Sequence, residues 1–139
     1  MATIIRNSDQ KRKPMTRGER RFADRLEDFL EDDYLCWFDI PVGEKRRYTD
    51  FVILHPARGL LFLEVKDWSL DNIRSITPDI VELQTNNGLK HFSNPLLQAR
   101  QCATHYVRRI ERDNLMLQTT GKYQGKLCCP WGYGAVLPK

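Results

Sequence analysis

The chain of 139 residues predicts a single domain of the mixed α/β (α+β) class, in which a β-sheet is covered by helices. Three observations predict it. Apolar residues recur at helical spacing in residues 16–30, two apolar runs flank a Pro/Gly turn in residues 49–66, and a second helical pattern begins at Asn94. The predicted order is helix, three strands, helix and strand (αβββαβ), with a hairpin inserted before the second helix.

The N-terminal part divides at about residue 15. Residues 1–15 are polar, basic and aperiodic, which predicts a flexible extension before a domain at 16–139. Thr16 is the predicted N-cap of the first helix, and Glu19 completes a capping box by accepting from the Thr16 amide. Because Glu19 also lies near the apolar stripe, a role in a functional site is an equally weighted alternative. The stripe consists of Phe22, Leu26, Phe29 and Leu30.

A strand followed by a hairpin is predicted next. Tyr34–Ile40 is rich in strand formers and is followed by Pro41, where we expect the strand to end. The segment 55–59 then reads as a five-residue loop between two further strands. A symmetric register across this loop pairs Leu54 with Leu60, which places Asp50 directly opposite Glu64.

Asp50, Glu64 and Lys66 are the candidate chemical centre. Two like charges opposite each other destabilise a sheet, and burying them in apolar strands costs more unless a cation lies between them. A divalent metal held by both carboxylates, with Lys66 beside it, removes this objection. The alternative is that Glu64 and Lys66 lie on a solvated face and that Asp50 merely ends its strand.

The remaining elements are marked by their turns and caps. We expect a polar connection from Asp67 through Pro78, and a hairpin across Asn86-Asn87-Gly88. Ser93-Asn94-Pro95 predicts the start of a second helix that runs to about Arg112 and carries Gln98 near its start. Late strand material is predicted at 127–129 and 134–137. The abrupt end at residue 139 favours a fragment of a longer protein.

Composition limits the classes of function. A net charge of +4 and a pI near 9.0 favour an anionic partner. No run of about 18 apolar residues is present, and the N-terminus lacks the apolar core of a signal peptide, so we expect a cytoplasmic protein without a membrane partner. The cysteines Cys36, Cys102, Cys128 and Cys129 lack zinc-site spacing and are expected to be reduced thiols.

Four segments together resemble a known family. They are Gly18-Glu19, Thr49-Asp50-Phe51, Leu63-Glu64-Val65-Lys66-Asp67-Trp68 and Asn94-Pro95-Leu96-Leu97-Gln98. Over residues 16–139 the chain resembles the nuclease-related domain (NERD) of the PD-(D/E)xK nuclease superfamily. The Asp…Glu-x-Lys triplet alone is a weak pattern, whereas the longer motif Glu-Val-Lys-Asp-Trp, with the preceding strand Asp and the following Asn-Pro-x-x-Gln, is more specific. The resemblance implies a restriction-endonuclease-like core, with a central mixed sheet and a helix on each face.

The resemblance also implies roles for single residues. Asp50 and Glu64 would be metal ligands and Lys66 the catalytic lysine, while Glu19 would support the metal and Gln98 would lie near the site. The chemistry of Mg²⁺ (or Mn²⁺) adds the Val65 carbonyl as a further oxygen ligand. The chain departs from the family pattern at Thr49, where an aliphatic residue is more typical.

The predicted function is metal-dependent hydrolysis of DNA, with RNA as an alternative substrate, in DNA processing. Cleavage within or from the end of a strand stays open, as does a homodimer. The rival hypothesis is a catalytically inactive nucleic-acid-binding module joined to a C-terminal helicase-like domain, and a weaker one is a phosphohydrolase acting on small nucleotides. Basic residues predicted to hold the nucleic-acid backbone without reading sequence are Arg17, Arg20, Arg21, Lys45, Arg46 and Arg47.

Overall fold

A computed structural model describes residues 2–6, 15–42 and 47–138. These residues form strands and helices in the order β1 (Thr3–Arg6), α1 (Arg17–Phe29), β2 (Leu35–Val42), β3 (Arg47–His55), β4 (Gly59–Val65), β5 (Ile73–Ile76), β6 (Ile80–Thr85), β7 (Gly88–Ser93), α2 (Pro95–Ile110) and β8 (Trp131–Val136). Short 3₁₀ helices lie at Leu70–Asn72 and Asn114–Met116.

The strands form two sheets. The main sheet has the order β1-β2-β3-β4-β8, and a smaller sheet has the order β5-β6-β7. Strands β2, β3 and β4 pair in antiparallel fashion, whereas β1 on β2 and β8 on β4 are parallel. The predicted mixed central sheet flanked by helices is therefore confirmed.

Each face of the main sheet packs on its own apolar cluster. Phe51 and Leu63 face α1, where they pack with Leu26. Val52 and Phe62, one position along each strand, face α2 and pack with Val107. Because side chains alternate along a strand, two apolar faces explain why β3 and β4 read as nearly continuous apolar runs.

The register between β3 and β4 is the predicted one. Leu54 pairs with Leu60, and the pairing continues to Phe51 with Leu63. Gly59 closes the loop with a φ of 93°, in the left-handed region that glycine adopts without a steric penalty. A Cβ at this position would lie 1.9 Å from the Pro130 carbonyl oxygen, so the close approach of the 130 segment also requires glycine.

The N-terminal segment differs from the prediction. Residues 3–6, which the sequence assigns to a flexible extension, form β1 and pair in parallel with Leu35–Phe38 of β2. Ala2 is buried and Ile4 packs against the cluster that faces α1. A strand of four residues inside a polar segment has too little alternation to be recognised without its partner. Residues 7–14 lie outside the described part of the chain.

Strand β2 also continues beyond the expected stop at Pro41. Pro41 pairs with Tyr48 inside the strand, which ends at Val42. The described residues of β1 pair with β2 only as far as Phe38. Proline lacks a backbone N–H, and it is accommodated where a strand has no neighbour that requires this donor.

The inserted element is a three-stranded sheet rather than a hairpin. The turn at Asn86-Asn87 is as predicted, with Thr85 paired with Gly88. Strand β5 joins it from within the expected polar connection and pairs with β6 through Ile73 and Ile76. Ile76 is exposed and β5 spans only four residues, so its sequence carries little strand periodicity.

Both helix starts agree with the sequence. Thr16 caps α1 in a complete capping box, and the Asn94 side chain accepts from the Leu96 amide at 2.9 Å at the start of α2. Two details differ. Phe29 is 77 % exposed and does not belong to the buried stripe of α1, and the predicted strand at 127–129 is reduced to one bridge between Leu117 and Leu127.

Helix α2 runs antiparallel to β4. Ile110, at its end, packs in the cluster that contains Leu60, and the Tyr106 ring lies 5.4 Å from that of Phe62. The first turns of α2 therefore lie over the Glu64 end of β4. None of the helices in residues 2–6, 15–42 and 47–138 combines the length and apolar character needed to cross a membrane.

Helix α1 meets the end of β4 through a glycine. A Cβ placed on Gly18 would lie 1.9 Å from Asp67 Oδ1 and 3.1 Å from Pro138 Cγ. Gly18 is buried, and its lack of a side chain allows the Asp67 carboxylate to approach the first turn of α1. A carboxylate is favourable there because the amides of the first helical turn are unpaired donors.

We expect Gly18→Ala to lower the free energy of unfolding by about 1 kcal/mol, although alanine is the better helix former. The loss should arise from displacement of Asp67. In an Asp67→Ala background the same substitution should become neutral or stabilising, and urea denaturation of the four proteins measures the sign change. Equal effects in both backgrounds would show that Asp67 does not require a glycine at this position.

Candidate active site

Asp50 lies at the point where β3 meets the end of β4. It is the next position beyond the pair Phe51 and Leu63, which places it beside Glu64. Its Oδ2 accepts a hydrogen bond from the Val65 amide at 2.8 Å. The Asp50 carboxylate is thus held against the backbone of β4, and the predicted neighbourhood of Asp50 and Glu64 is present.

Glu64 is a buried acid that is costly to ionise. It is 7 % exposed, and its pKa is raised to about 8, most of all by burial and then by the charge and the hydrogen bond of Asp50. The positive charge of Lys66 lowers this pKa, and Glu19 raises it slightly. Glu64 therefore does not lie on a solvated face, and its ionised form is disfavoured by burial and by the neighbouring Asp50 carboxylate.

Lys66 follows Glu64 at the end of the sheet. Its backbone amide donates to the Val136 carbonyl of β8 at 3.0 Å. Its side chain is half-buried, and Nζ lies 5.9 Å from the centre of the Trp68 ring. The ammonium group is close enough to Glu64 to act on its pKa, so the three predicted residues form one cluster.

Glu19 combines the two alternatives that its sequence position leaves open. Its Oε2 accepts from the Thr16 amide at 2.8 Å, and the Thr16 hydroxyl accepts from the Glu19 amide at 3.2 Å. The side chain is only 3 % exposed, and its charge acts on Glu64. Glu19 is therefore a helix cap that also contributes negative charge to the candidate site.

Gln98 carries a buried side-chain oxygen in the first turns of α2. Its Oε1 is inaccessible to solvent and has no hydrogen-bond partner among the described residues. Gln98 lies in the first turns of α2, which cover the Glu64 end of β4. A buried amide oxygen without a donor is costly, and this cost is removed if a cation or a substrate group binds there.

Asp39 is a further acid that the sequence did not indicate as a site residue. The pairs Phe38–Phe51 and Ile40–Thr49 on either side place Asp39 across from Asp50. It is 6 % exposed and has a φ of 60°, a left-handed conformation that Asp tolerates better than most residues. Asp39, Asp50 and Glu64 thus occupy one row across β2, β3 and β4. The sequence signal that could have indicated Asp39 is its position between two apolar residues, Phe38 and Ile40, of a predicted strand.

The chemistry of these side chains fits a hard divalent cation. In the described ranges, no group of three or more His, Cys, Asp or Glu residues is arranged to hold a metal. Asp50 and Glu64 supply two carboxylates, and Gln98 supplies an unpaired amide oxygen. Mg²⁺ is commonly bound by one or two carboxylates and keeps several of its waters, so this donor set is sufficient.

The structure describes only some of the basic residues that the sequence predicts to contact nucleic acid. Arg17, Arg20 and Arg21 are exposed on α1, whose first turn meets Asp67 at the end of β4. Lys45 and Arg46 lie outside the described residues. Arg47 begins β3 and pairs with Val42, and its side chain is likewise outside the described part. The first turns of α1 therefore present positive charge near the acidic cluster.

The model of a known protein family, described as nuclease-related domain, matches residues 15–125. The chain belongs to the nuclease-related domain family. The match includes Glu19, Asp50, Glu64, Lys66 and Gln98, while β8 lies beyond it. No curated protein and no solved structure gives a significant match.

For this nuclease-related domain in the absence of metal, we expect Glu64→Gln to raise the free energy of unfolding at pH 8 by about 4 kcal/mol. The folded-state pKa of Glu64 is raised, so its stabilising contribution is complete below pH 4.5 and is lost as the pH rises to about 8. The advantage of the Gln variant should therefore grow between these values. Denaturation in EDTA at several pH values measures it.

The exposed Glu31 supplies the matched control for this measurement. Glu31→Gln makes the same chemical change without removing a buried charge, and it should leave the pH dependence unchanged. A constant difference between Glu64→Gln and the wild type across this range would contradict the burial of an ionisable Glu64.

Proposed function

We propose that this nuclease-related domain is a metal-dependent nuclease that hydrolyses phosphodiester bonds of DNA. The observation that carries the proposal is the pairing of the half-buried Asp50 with the buried Glu64, with the Lys66 ammonium group beside them. A buried carboxylate next to a second carboxylate destabilises the protein when both are ionised. Ionisable groups whose pKa is shifted by burial and by a neighbouring charge are characteristic of functional sites.

Asp50 and Glu64, together with the Val65 carbonyl, would hold Mg²⁺ or Mn²⁺, with Glu19 supporting them. When bound, the ion supplies a Lewis acid for a phosphate oxygen and lowers the pKa of a bound water. Lys66 would hold the attacking water or stabilise the charge that develops on the phosphate. Gln98 would orient a group at the site through its unpaired oxygen.

Charge supports a nucleic-acid substrate. The net charge of +4 coexists with an acidic cluster, so positive residues are in excess elsewhere on the surface. The exposed arginines of α1 lie near that cluster and would bind phosphates without reading bases. Lys45, Arg46 and Arg47 would extend this contact. DNA is the proposed substrate, and RNA is the alternative.

A second candidate function is a nucleic-acid-binding module without useful catalysis. The observation in its favour is that the described residues contain no group of three or more His, Cys, Asp or Glu side chains arranged to hold a metal ion. Such a module would retain its affinity for DNA when Glu64 is replaced and would cleave nothing. The presence of Asp50, Glu64 and Lys66 together favours the enzyme.

The nuclease is tested by cleavage of supercoiled plasmid and of end-labelled single-stranded DNA with Mg²⁺, Mn²⁺ or EDTA. We expect cleavage with either metal and none with EDTA. Lys66→Ala should lower kcat by about 100-fold or more while DNA binding persists, because removing one group that stabilises transition-state charge costs this much. Glu64→Gln should abolish cleavage together with the stabilisation of the fold by metal.

Glu31→Gln serves as the control in this assay and should cleave like the wild type. A folded wild-type protein that binds DNA and does not cut it with any metal would support the binding module instead. Full activity of Lys66→Ala would remove Lys66 from the mechanism. The plasmid and end-labelled substrates also distinguish cleavage within a strand from cleavage at its end.

The contact of α1 with DNA is tested by its salt dependence. The double variant Arg20→Gln, Arg21→Gln should reduce the slope of log affinity against log salt concentration by about 1 to 2, since each phosphate contact on duplex DNA contributes about 0.9. The exposed Arg109 of α2 provides the control, and Arg109→Gln should leave the slope closer to that of the wild type. Equal slopes for all three proteins would exclude α1 from the interface.

A further inference from the structure

We propose that Trp68 is a positioning residue for Lys66, whose ammonium group it holds at the candidate active site through the face of its indole ring. The catalytic meaning of this inference rests on the proposed function. The contact itself can be tested without any cleavage, so the two can fail separately.

The contact has the geometry of a cation–π interaction. Lys66 Nζ lies over the Trp68 ring, 5.9 Å from its centre, and such attractions extend to about 6 Å. Tryptophan has the most favourable ring for this interaction. Both side chains are half-buried, so the attraction is less screened by water than it would be on the surface.

The backbone of Lys66 is fixed by a hydrogen bond, whereas its side chain requires a further contact to hold the ammonium group in place. The Lys66 amide is bound to the Val136 carbonyl of β8, which places the Cα atom. The long and flexible lysine stem leaves the ammonium group free to adopt many positions. The acidic pair attracts it, but a divalent cation bound by Asp50 and Glu64 would neutralise them and repel the ammonium. The Trp68 ring is uncharged and continues to attract Lys66 in that state.

Trp68 is itself fixed by the small sheet. Its ring lies 5.4 Å from that of Phe92, with an interplanar angle of 47°. Phe92 belongs to β7 and pairs with the buried Val81 of β6. Strand β7 then leads to Asn94, whose amide and side-chain nitrogens donate to the Asp79 and Thr77 carbonyls at 2.9 Å. The inserted sheet thus supports the residue that contacts Lys66.

The competing explanation is that Trp68 only fills apolar space between the end of β4 and the small sheet. In that case any apolar side chain of sufficient size serves equally well. The two explanations differ for Trp68→Leu and Trp68→Phe. Both variants keep an apolar side chain, whereas only Phe keeps an aromatic face for the ammonium group.

The first test is the NMR spectrum of the full chain with ¹³C-labelled lysine. Protons above an aromatic ring are shifted upfield by its ring current, so we expect the terminal methylene of Lys66 to resonate upfield of the lysines that contact no aromatic ring; Lys122, which lies 5.6 Å from the centre of the Tyr123 ring, is a second shifted lysine. The signal is assigned by its absence from Lys66→Ala. It should move to the position of the other lysines in Trp68→Leu, remain partly shifted in Trp68→Phe, and be unchanged in Trp131→Leu, which removes a tryptophan at the opposite end of β4.

The second test is steady-state cleavage of DNA. We expect Trp68→Leu to lower kcat by about tenfold or more with little change in KM, because misplacing a catalytic group by about 1 Å can cost more than this. Trp68→Phe should retain most of the activity. Equal kcat for Trp68→Leu and Trp68→Phe would overturn the proposal, as would an unshifted Lys66 signal in the wild type.

These outcomes separate the inference from the proposed function. A wild-type protein that cleaves no DNA would refute the nuclease, while the lysine spectrum would still decide whether Trp68 holds Lys66. If Trp68→Leu does not fold, the comparison of the wild type with Lys66→Ala remains decisive because it requires no change at Trp68.

Discussion

The register between β3 and β4 is the constraint on which the rest of the structure depends. With Leu54 opposite Leu60, Asp50 lies beside Glu64 and beneath the first turns of α2. A slip of one residue would turn Glu64 to the other face of the sheet and exchange the two apolar clusters. Gly59 holds this register at the loop, and the bond from the Val65 amide to Asp50 holds it at the site. The same register that builds both apolar cores therefore brings two acids together.

The three residues after Val65 connect the candidate site to the rest of the fold. The Lys66 amide binds β8, the Asp67 carboxylate lies against Gly18 at the start of α1, and the Trp68 ring packs on Phe92 of β7. Each successive residue thus contacts a different element. This explains in physical terms why Glu-Val-Lys-Asp-Trp forms one continuous motif: the chemistry lies in Glu64 and Lys66, and the following residues place the elements that surround them.

Local patterns identified the elements that local interactions form. The capping box at Thr16, the cap at Asn94 and the turn before Gly88 are each determined by residues within a few positions, and the structure has all three. The strands that were missed, β1 and β5, have four residues each and depend on pairing with β2 and β6. Their stability comes from partner strands that are distant in sequence, and the sequence of a four-residue segment does not indicate such pairing.

The sequence by itself determined the two helices, the β3–β4 hairpin and the placement of Asp50 beside Glu64, because turn chemistry and the alternation of side chains act over short distances. Only the tertiary structure decided that Glu64 is buried with a raised pKa, that Glu19 is both a cap and a neighbour of the site, and that Asp39 lies in the same row as Asp50. It also decided that Gln98 has a buried unpaired oxygen and that Trp68 faces Lys66. Burial and charge proximity arise when separate elements pack together, so no single segment could show them.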